Sequence, residues 1–558
     1  MSDSADKPLI VQSDRTILLT VDSPAYEDAR DALSAFAELQ KCPEHIHTYR
    51  LTALSLWNAS AAGHRPDEVV ASLDRFSRYP VPQNIKAEVR DTMARYGRLR
   101  LTRRGEDLVL VADTPGLMEE VWRSKPVRPD LIDRPDERTA TVDAGRRGHV
   151  KQALIKIGWP VEDLAGYVPG KPLDIDLRQN GQSGAGFTVR GYQREAADVF
   201  YAGGTERGGS GVICLPCGAG KTVVGMCAMA RCRAHTLILC TNITAVRQWI
   251  RELLDKTTLT EEEIGEYTGE AKELRPVTVT TYQILTWRPK KNAPFPHFGV
   301  FDARDWGLII YDEVHLLPAP VFRFTAELQA RRRLGLTATL VREDEREDDV
   351  FSLIGPKKYD VPWKVLEAQG WIAAARCTEV RVDMNQDRRL EYALASPRQQ
   401  IRTAAENPAK LDVVRQLLER HRDDLVLVIG QYLDQLHEIS EQFDVPIITG
   451  KTPNAERDEL YRAFRSGDIP VLVVSKVGNF AVDLPDANVA IQVSGTFGSR
   501  QEEAQRLGRI LRPKTDGAPA RFYALVTRDS KDQEFAANRQ LFLAEQGYAY
   551  EIRDAHEI

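Results

Sequence analysis

Gly218, Ala219, Gly220, Lys221 and Thr222 form a run with the chemistry of a phosphate cradle. It follows the apolar stretch Gly211-Val-Ile-Cys-Leu215 and precedes Val223-Val-Gly-Met226, the order of a strand, a tight turn and a helix. Small residues let backbone N–H groups close around phosphate oxygens; Lys221 adds a cation at the β- and γ-phosphates, and the Thr222 hydroxyl suits Mg²⁺. ATP is the expected ligand. Leu215 stands where the strict pattern has glycine, so a second feature must support this reading. Leu308-Ile-Ile-Tyr-Asp-Glu-Val-His315 supplies it, because two acids end an apolar strand. A buried strand end carrying two carboxylates calls for a cation. Asp312 is therefore expected to hold Mg²⁺, directly or through water, and Glu313 to polarise the attacking water.

Two further runs extend this chemistry. Gly335-Leu-Thr-Ala-Thr339 places hydroxyls at the end of a neighbouring apolar strand, where they could relay the state of a nucleotide. Gln505-Arg-Leu-Gly-Arg-Ile-Leu-Arg512 repeats arginine at helical spacing. A guanidinium reaching a γ-phosphate stabilises transition-state charge by about 10³–10⁵ in rate, a contact for which Arg506, Arg509 and Arg512 are all candidates. On its own, that run reads equally as a solvated basic helix face.

The elements that must position these groups follow from periodicity. Beyond Phe187, apolar strands at Gly211–Leu215, Thr236–Thr241, Val277–Tyr282, Trp306–Asp312 and Leu334–Thr339 alternate with helices. A second series has strands at Leu425–Ile429, Val445–Thr449, Val471–Ser475, Val489–Val493 and Phe522–Val526. Each series predicts a doubly wound parallel sheet, and two in tandem are the architecture of a motor. Upstream, Leu9–Val11 and Thr16–Val21 read as a hairpin and Tyr26–Leu39 as a helix. Helical segments at Leu51–Ala62, Pro66–Phe76 and Gln83–Tyr96 then precede strands at Leu99–Thr102 and Leu108–Ala112, the order of a winged helix. Such a unit could bind DNA, with Lys86, Arg90 and Arg95 near phosphates, dock protein, or serve structure alone. Pro126, Pro129 and Pro135 among charges predict a linker, and a small unit with a helix at Gly148–Ile157 and a strand at Leu173–Leu177 follows.

The composition is that of a multidomain globular chain. Among 558 residues, 42% are hydrophobic and 28% charged, and no apolar run reaches the length of a membrane span, which predicts no membrane association. The net charge of −6 requires any nucleic acid to meet a local basic groove. A polar start predicts a cytoplasmic protein, nucleoid-associated in a bacterium, with reduced thiols. Cys214, Cys217, Cys227, Cys232 and Cys240 imitate a metal-binding spacing, but they fall on strand, turn and apolar helix positions and read as core thiols.

Taken together, Pro216–Thr222, Asp312–His315, Gly335–Asp344, Leu353–Pro356, Ser475–Gly478, Asp483–Pro485 and Gln505–Arg512 resemble the XPB family of DNA repair helicases, within helicase superfamily two and in its bacterial type. The resemblance covers about residues 140 to 530, and Arg342-Glu-Asp344 directly after the Thr-Ala-Thr motif is its most specific element. It implies an α/β protein with two RecA-like domains and ATP-dependent movement from 3′ to 5′ along DNA, single-stranded or as forked or damaged duplex, with a role in nucleotide excision repair. It also implies that Arg190 and Gln193 contact adenine, Asp483 the ribose, Thr281 and Thr452 one DNA strand, and Arg342, Glu343 and Asp344 the opening duplex, with Arg509 and Arg512 as the catalytic arginine fingers. The expected domains are an N-terminal region 1–125, a linker 126–138, a damage-recognition-like domain 139–186, and RecA-like domains 187–365 and 366–545. The second carries a thumb-like insertion 383–407, and a tail 546–558 follows. A partner nuclease or a repair or transcription factor is compatible with this reading. A double-stranded DNA translocase, or a damage-binding scaffold with weak unwinding, is the alternative.

Overall fold

The computed structural model describes residues 7–41, 45–182, 187–216, 218–290, 293–321, 325, 328, 331–338, 347–361, 366, 369, 375–475, 487–494, 520–545 and 549–558. They form two compact units, one made of Met1–Glu38, Tyr49–Leu215 and Gly220–Val361, the other of Leu39–Thr48, Pro216–Ala219 and Pro362–Ile558.

In the first unit the strands Leu9–Val11 and Thr16–Thr20 pair antiparallel, followed by the helix Tyr26–Ser34. That helix is shorter than its periodicity predicts, because Leu39 enters the strand Glu38–Lys41. Three helices come next, Ala53–Ala61, Pro66–Phe76 and Gln83–Met93. Thr52 opens the first with a capping box, its hydroxyl accepting from Ser55 N. The hairpin Leu99–Arg104 and Asp107–Ala112 then pairs antiparallel.

This hairpin is not a free wing. Thr139–Val142 pairs along one edge and Val161–Leu164 along the other, giving one four-stranded sheet that crosses the predicted linker. The stretch read as a linker at 126–138 is packed instead: Val127 and Leu131 lie in the same core as Leu99, Leu110, Ala140 and Leu154, and the buried Asp130 pairs with Arg146 at 2.6 Å. Prolines among charges mimic a spacer, yet two apolar side chains suffice to anchor a short stretch once a sheet edge receives its next strand. The helix Arg147–Lys156 falls close to its expected place. Leu173–Leu177 forms no strand; it makes only isolated bridges through Pro172 and Leu177, while Asp174 and Asp176 pair with Arg233.

The nucleotide sheet of the first unit is parallel throughout, with strands side by side in the order Ile264–Tyr267, Val277–Thr281, Thr236–Cys240, Leu308–Asp312, Arg332–Thr337, Ser210–Cys214 and Lys357–Asp360. The five strands read from apolar runs are its centre, and the two polar edge strands were not foreseen. Cys214, Cys227 and Cys240 are buried on strand, helix and strand, and burial pushes the Cys214 thiol up to about 12. Cys217 lies outside the described residues.

The second unit repeats the plan in the order Ile447–Ile448, Val471–Ser475, Val426–Gly430, Val489–Gln492, Ala520–Thr527, Ala375–Val382 and Ala549–Asp554. The stretch 546–558 is therefore no tail, because Ala549–Asp554 pairs in parallel with Ala375–Val382 and completes the sheet edge. Within 383–407 stand the helices Gln386–Leu394 and Pro397–Ala405, the latter opened by a capping box at Ser396. Among the described residues no helix is long and apolar enough to cross a membrane.

A buried ionic cluster stabilises the first unit at the foot of the helix Arg147–Lys156. Asp163 accepts from both Arg147 (2.7 Å) and Lys151 (3.0 Å), with all three side chains nearly inaccessible. Burial alone would raise the Asp163 carboxyl, but Lys151 and Arg147 overcome it and hold the group far below the carboxylate range. The folded-state Asp163 value lies below the unfolded one, so the carboxylate's share of the stabilisation is present above the ordinary carboxylate range and is lost as pH falls below it, while burial lowers the Lys151 ammonium to about 7, so that the lysine is a full cation only below that pH. Asp163→Asn should cost about 3–5 kcal/mol at pH 7 by leaving two buried cations short of a counter-charge. Thermal melting checks it: the gap between variant and parent should narrow from pH 7 toward pH 3, and a gap independent of pH would reject the ionic account.

Candidate active site

The site starts at the carboxyl ends of three neighbouring parallel strands. Register puts Asp312 beside Leu336 and Thr337 beside Cys214, so the phosphate turn, the acid pair and the Thr-Ala-Thr segment emerge from one edge of the sheet. In the turn, Ala219 N donates to Pro216 O at 3.2 Å, and Gly218 and Gly220 hold φ of +80° and +79°, a region glycine enters without a Cβ clash. A Cβ at Gly220 would also stand 2.5 Å from Gln193 Nε2. The helix Lys221–Cys232 begins directly afterwards with no side-chain cap on its first amides, which is the form of an anion site.

Lys221 Nζ lies 3.2 Å from Glu313 Oε1, and both side chains are largely buried. Glu313 has φ +51°, ψ 56°, a left-handed backbone that costs an ordinary residue about 1 kcal/mol or more and is characteristic of functional sites. Its Oε2 is buried with no hydrogen-bond partner among the described residues, and His315 Nδ1 lies 3.7 Å away. Asp312 Oδ2 accepts from Trp249 Nε1 at 2.9 Å, and its carbonyl accepts from the Tyr282 hydroxyl at 2.9 Å. Burial, reinforced by the charge of Glu313, pushes the Asp312 carboxyl up to about 6, against the pull of Trp249 and Lys221. An orphaned carboxylate oxygen beside a destabilised carboxylate is an oxygen-rich, cation-deficient site. Its donors, with the Thr222 hydroxyl at the helix start, are the hard ligands that Mg²⁺ takes.

Around this centre the sequence-predicted residues are distributed unevenly. Arg190 caps the helix Gly191–Tyr201; its N–H donates to Gln193 Oε1 at 3.0 Å and its guanidinium to the Tyr192 hydroxyl at 3.0 Å. Gln193 is buried against Gly220, so the pair expected at adenine borders the phosphate turn. Thr281 ends a strand two places from Asp312, and its hydroxyl accepts from Ile284 N, capping a short helix. Thr452 belongs to the second unit, where its hydroxyl accepts from Thr449 N at 2.9 Å. Asp483, Arg509, Arg512, Arg342, Glu343, Asp344 and Thr339 lie outside the described residues. Lys86, Arg90 and Arg95 each have an intramolecular partner, in Asp74, Asp67 and Gly158 O.

Comparison with known proteins bears on the whole chain. The family profile described as ERCC3/RAD25/XPB C-terminal helicase matches residues 366–557, that of a helicase conserved C-terminal domain matches 9–135, and that of the type III restriction enzyme res subunit matches 186–342. The sequence is 58% identical over 554 residues to the DNA 3′-5′ helicase XPB of Mycobacterium tuberculosis, covering 99% of each chain. It is likewise 58% identical to the protein of that name from Kineococcus radiotolerans, over 99% of this chain and 97% of the relative. The chain belongs to the XPB helicase family. The similarity reaches Saccharomyces cerevisiae, whose general transcription and DNA repair factor IIH helicase/translocase subunit XPB/SSL2 is 32% identical over 99% of this chain and 72% of its own length. The kinship thus runs past residues 140–530 into the N-terminal region.

In this XPB-family site, sequence reasoning missed Trp249, Tyr282 and His315. Trp249 sits at an apolar position of the amphipathic helix Ile243–Lys256 and reads as core; its indole N–H, turned to Asp312, has no periodic signature. One signal was available. Gly225 interrupts an otherwise apolar helix, and a Cβ there would stand 2.4 Å from the Trp249 ring. His315 Nδ1 and Thr337 Oγ1 are 2.7 Å apart, joining the acid motif to the Thr-Ala-Thr segment. Trp249→Phe retains the packing but removes the donor to Asp312. A hydrogen bond to a charged group contributes about 1.5–3 kcal/mol, so turnover of ATP should fall about tenfold or more. Steady-state ATPase with a parallel nucleotide-binding titration checks this, with binding changed by less than the rate.

Proposed function

We propose that this chain is an ATP-dependent DNA helicase moving 3′ to 5′, acting on single-stranded and forked or damaged duplex DNA in excision repair. The observation that supports it most is the ion pair of Lys221 with Glu313, a phosphate-loop cation held beside an acid whose second oxygen is buried and unpaired among the described residues.

In this reading nucleotide binding draws Lys221 to the β- and γ-phosphates and frees Glu313. Glu313 then accepts a proton from the attacking water. Thr222 and Asp312 hold Mg²⁺, which when bound neutralises phosphate charge. Gly218, Ala219 and Gly220 supply backbone N–H groups, Gln193 and Arg190 hold the adenine, and Asp483 the ribose. Arg509 and Arg512, at helical spacing in the second RecA-like domain, stabilise charge at the γ-phosphate. His315, bonded to Thr337, carries the change toward Arg342-Glu-Asp344, which couples hydrolysis to strand separation. Thr281 and Thr452 follow one strand, the latter in the second unit. The helices within 383–407 act as a thumb on DNA, and residues 139–186 as a damage-sensing element. The protein works in the cytoplasm on chromosomal DNA, where a nuclease or another repair factor would use the opened duplex.

Two substitutions divide the roles. Lys221→Ala and Glu313→Gln should each abolish DNA-stimulated ATP turnover, and only Lys221→Ala should weaken nucleotide binding. Near-parental turnover in Glu313→Gln would remove that residue as the water-activating acid. A Lys221→Ala protein that bound nucleotide normally would remove the phosphate role of the lysine.

A further inference from the structure

The helix Glu347–Leu353 begins three residues after Asp344, and it is gripped from outside the nucleotide sheet. Phe351 packs in a buried cluster with Trp57 and Ile155, the two aromatic rings meeting at 6.4 Å with a 48° tilt. Gln152 Nε2 donates to Asp349 Oδ1 at 2.6 Å. Just beyond the helix, Lys357 N donates to the Asn58 side chain at 2.9 Å. The gripping residues come from two helices, Ala53–Ala61 in the N-terminal region and Arg147–Lys156 beside the four-stranded sheet. Asp349 and Phe351 project about 200° apart round the helix axis, so the two contacts together oppose rolling in either direction. Val350 and Leu353 seat one face of this short helix in the core of the nucleotide sheet, and the contacts from outside hold the rest of it.

We propose that Gln152, with the Trp57–Phe351 contact, positions the segment that opens the duplex, so that the N-terminal helices govern unwinding without entering the ATP site. The inference rests on the reading of Arg342-Glu-Asp344 as the coupling element. In sequence the triplet follows the Thr-Ala-Thr motif closely and stands three residues before the gripped helix. Movement at the nucleotide separates strands only if the far side of the triplet is held. If the grip loosens, hydrolysis continues and the segment yields instead of the base pairs. Gln152 is a positioning residue in this scheme and touches neither nucleotide nor the acid pair.

An isosteric exchange tests it. Gln152→Glu sets a carboxylate against Asp349, whereas Gln152→Glu with Asp349→Asn restores a hydrogen bond of the same length with donor and acceptor exchanged. DNA-stimulated ATPase and displacement of a strand from a 3′-tailed duplex are measured on the same preparation, alongside thermal melting. Gln152→Glu should keep ATPase within about twofold and lose strand displacement by about threefold or more, and the double variant should recover it, as coupled neighbours do. Equal losses in both activities, no loss in either, or failure of the double variant to recover would overturn the proposal. Should Gln152→Glu fail to fold, Gln152→Met removes the donor without adding charge and carries the same expectations. A companion in which Arg342, Glu343 and Asp344 are replaced by alanine separates the two layers. If that companion loses unwinding but Gln152→Glu does not, the grip is structural and the triplet keeps its role. If the companion unwinds normally, the triplet reading fails and the grip inference fails with it.

Discussion

Two carboxylates, Asp312 and Glu313, stand next to each other at the end of a strand buried in the sheet, and their mutual repulsion organises the site. Desolvation and the neighbouring charge both disfavour ionised Asp312, which is why it is displaced to about 6. The surroundings answer with a donor on each acid: Trp249 on Asp312 and Lys221 on Glu313. Lys221 opens the helix that follows the phosphate turn, and the Trp249 ring packs on that helix at Gly225, so the acid pair and the turn share a support. The left-handed backbone of Glu313 adds strain that a folded core must offset elsewhere. A site held in this way is poised for a cation and for a phosphate that competes for Lys221.

The rest of the first unit keeps that geometry fixed. The acid strand is flanked on both sides by parallel neighbours, Thr236–Cys240 and Arg332–Thr337, buried at every residue except the half-buried Arg332. The second unit is a parallel sheet with its own core and a buried ion pair of Lys410 with Asp532 at 2.7 Å, and Lys410 Nζ also donates to Val493 O. The chain thus carries two parallel sheets of the same seven-stranded plan.

What the residues disclosed follows their physics. Continuous apolar runs such as Leu308–Tyr311 and Val471–Val474 revealed the central strands, because a strand covered on both faces can carry little else. Edge strands escaped for the converse reason: Lys357-Lys-Tyr-Asp360 and Ala549-Tyr-Glu-Ile-Arg-Asp554 are polar, and only pairing with a neighbour makes them strands, and the interior strand Ala375–Val382 escaped likewise because Arg376, Glu379 and Arg381 interrupt its apolar residues. The prolines of 126–138 outweighed Val127 and Leu131 in composition but not in burial. At the site, glycines, lysine and the acid pair were legible because their chemistry is local in sequence. Trp249 and Gln152 were not, since each acts through a contact with a residue distant in the chain, Asp312 and Asp349.

The central claim is that the acid pair and phosphate turn drive directional opening of DNA. Strand displacement by the unmodified protein on otherwise identical duplexes with a 3′ or a 5′ single-stranded tail, with ATP and Mg²⁺ present or either withheld, tests it most directly. Opening of the 3′-tailed duplex alone, and only with both ATP and Mg²⁺, is the predicted result. Opening without ATP, equal opening of both duplexes, or ATP hydrolysis with no opening of either would contradict it.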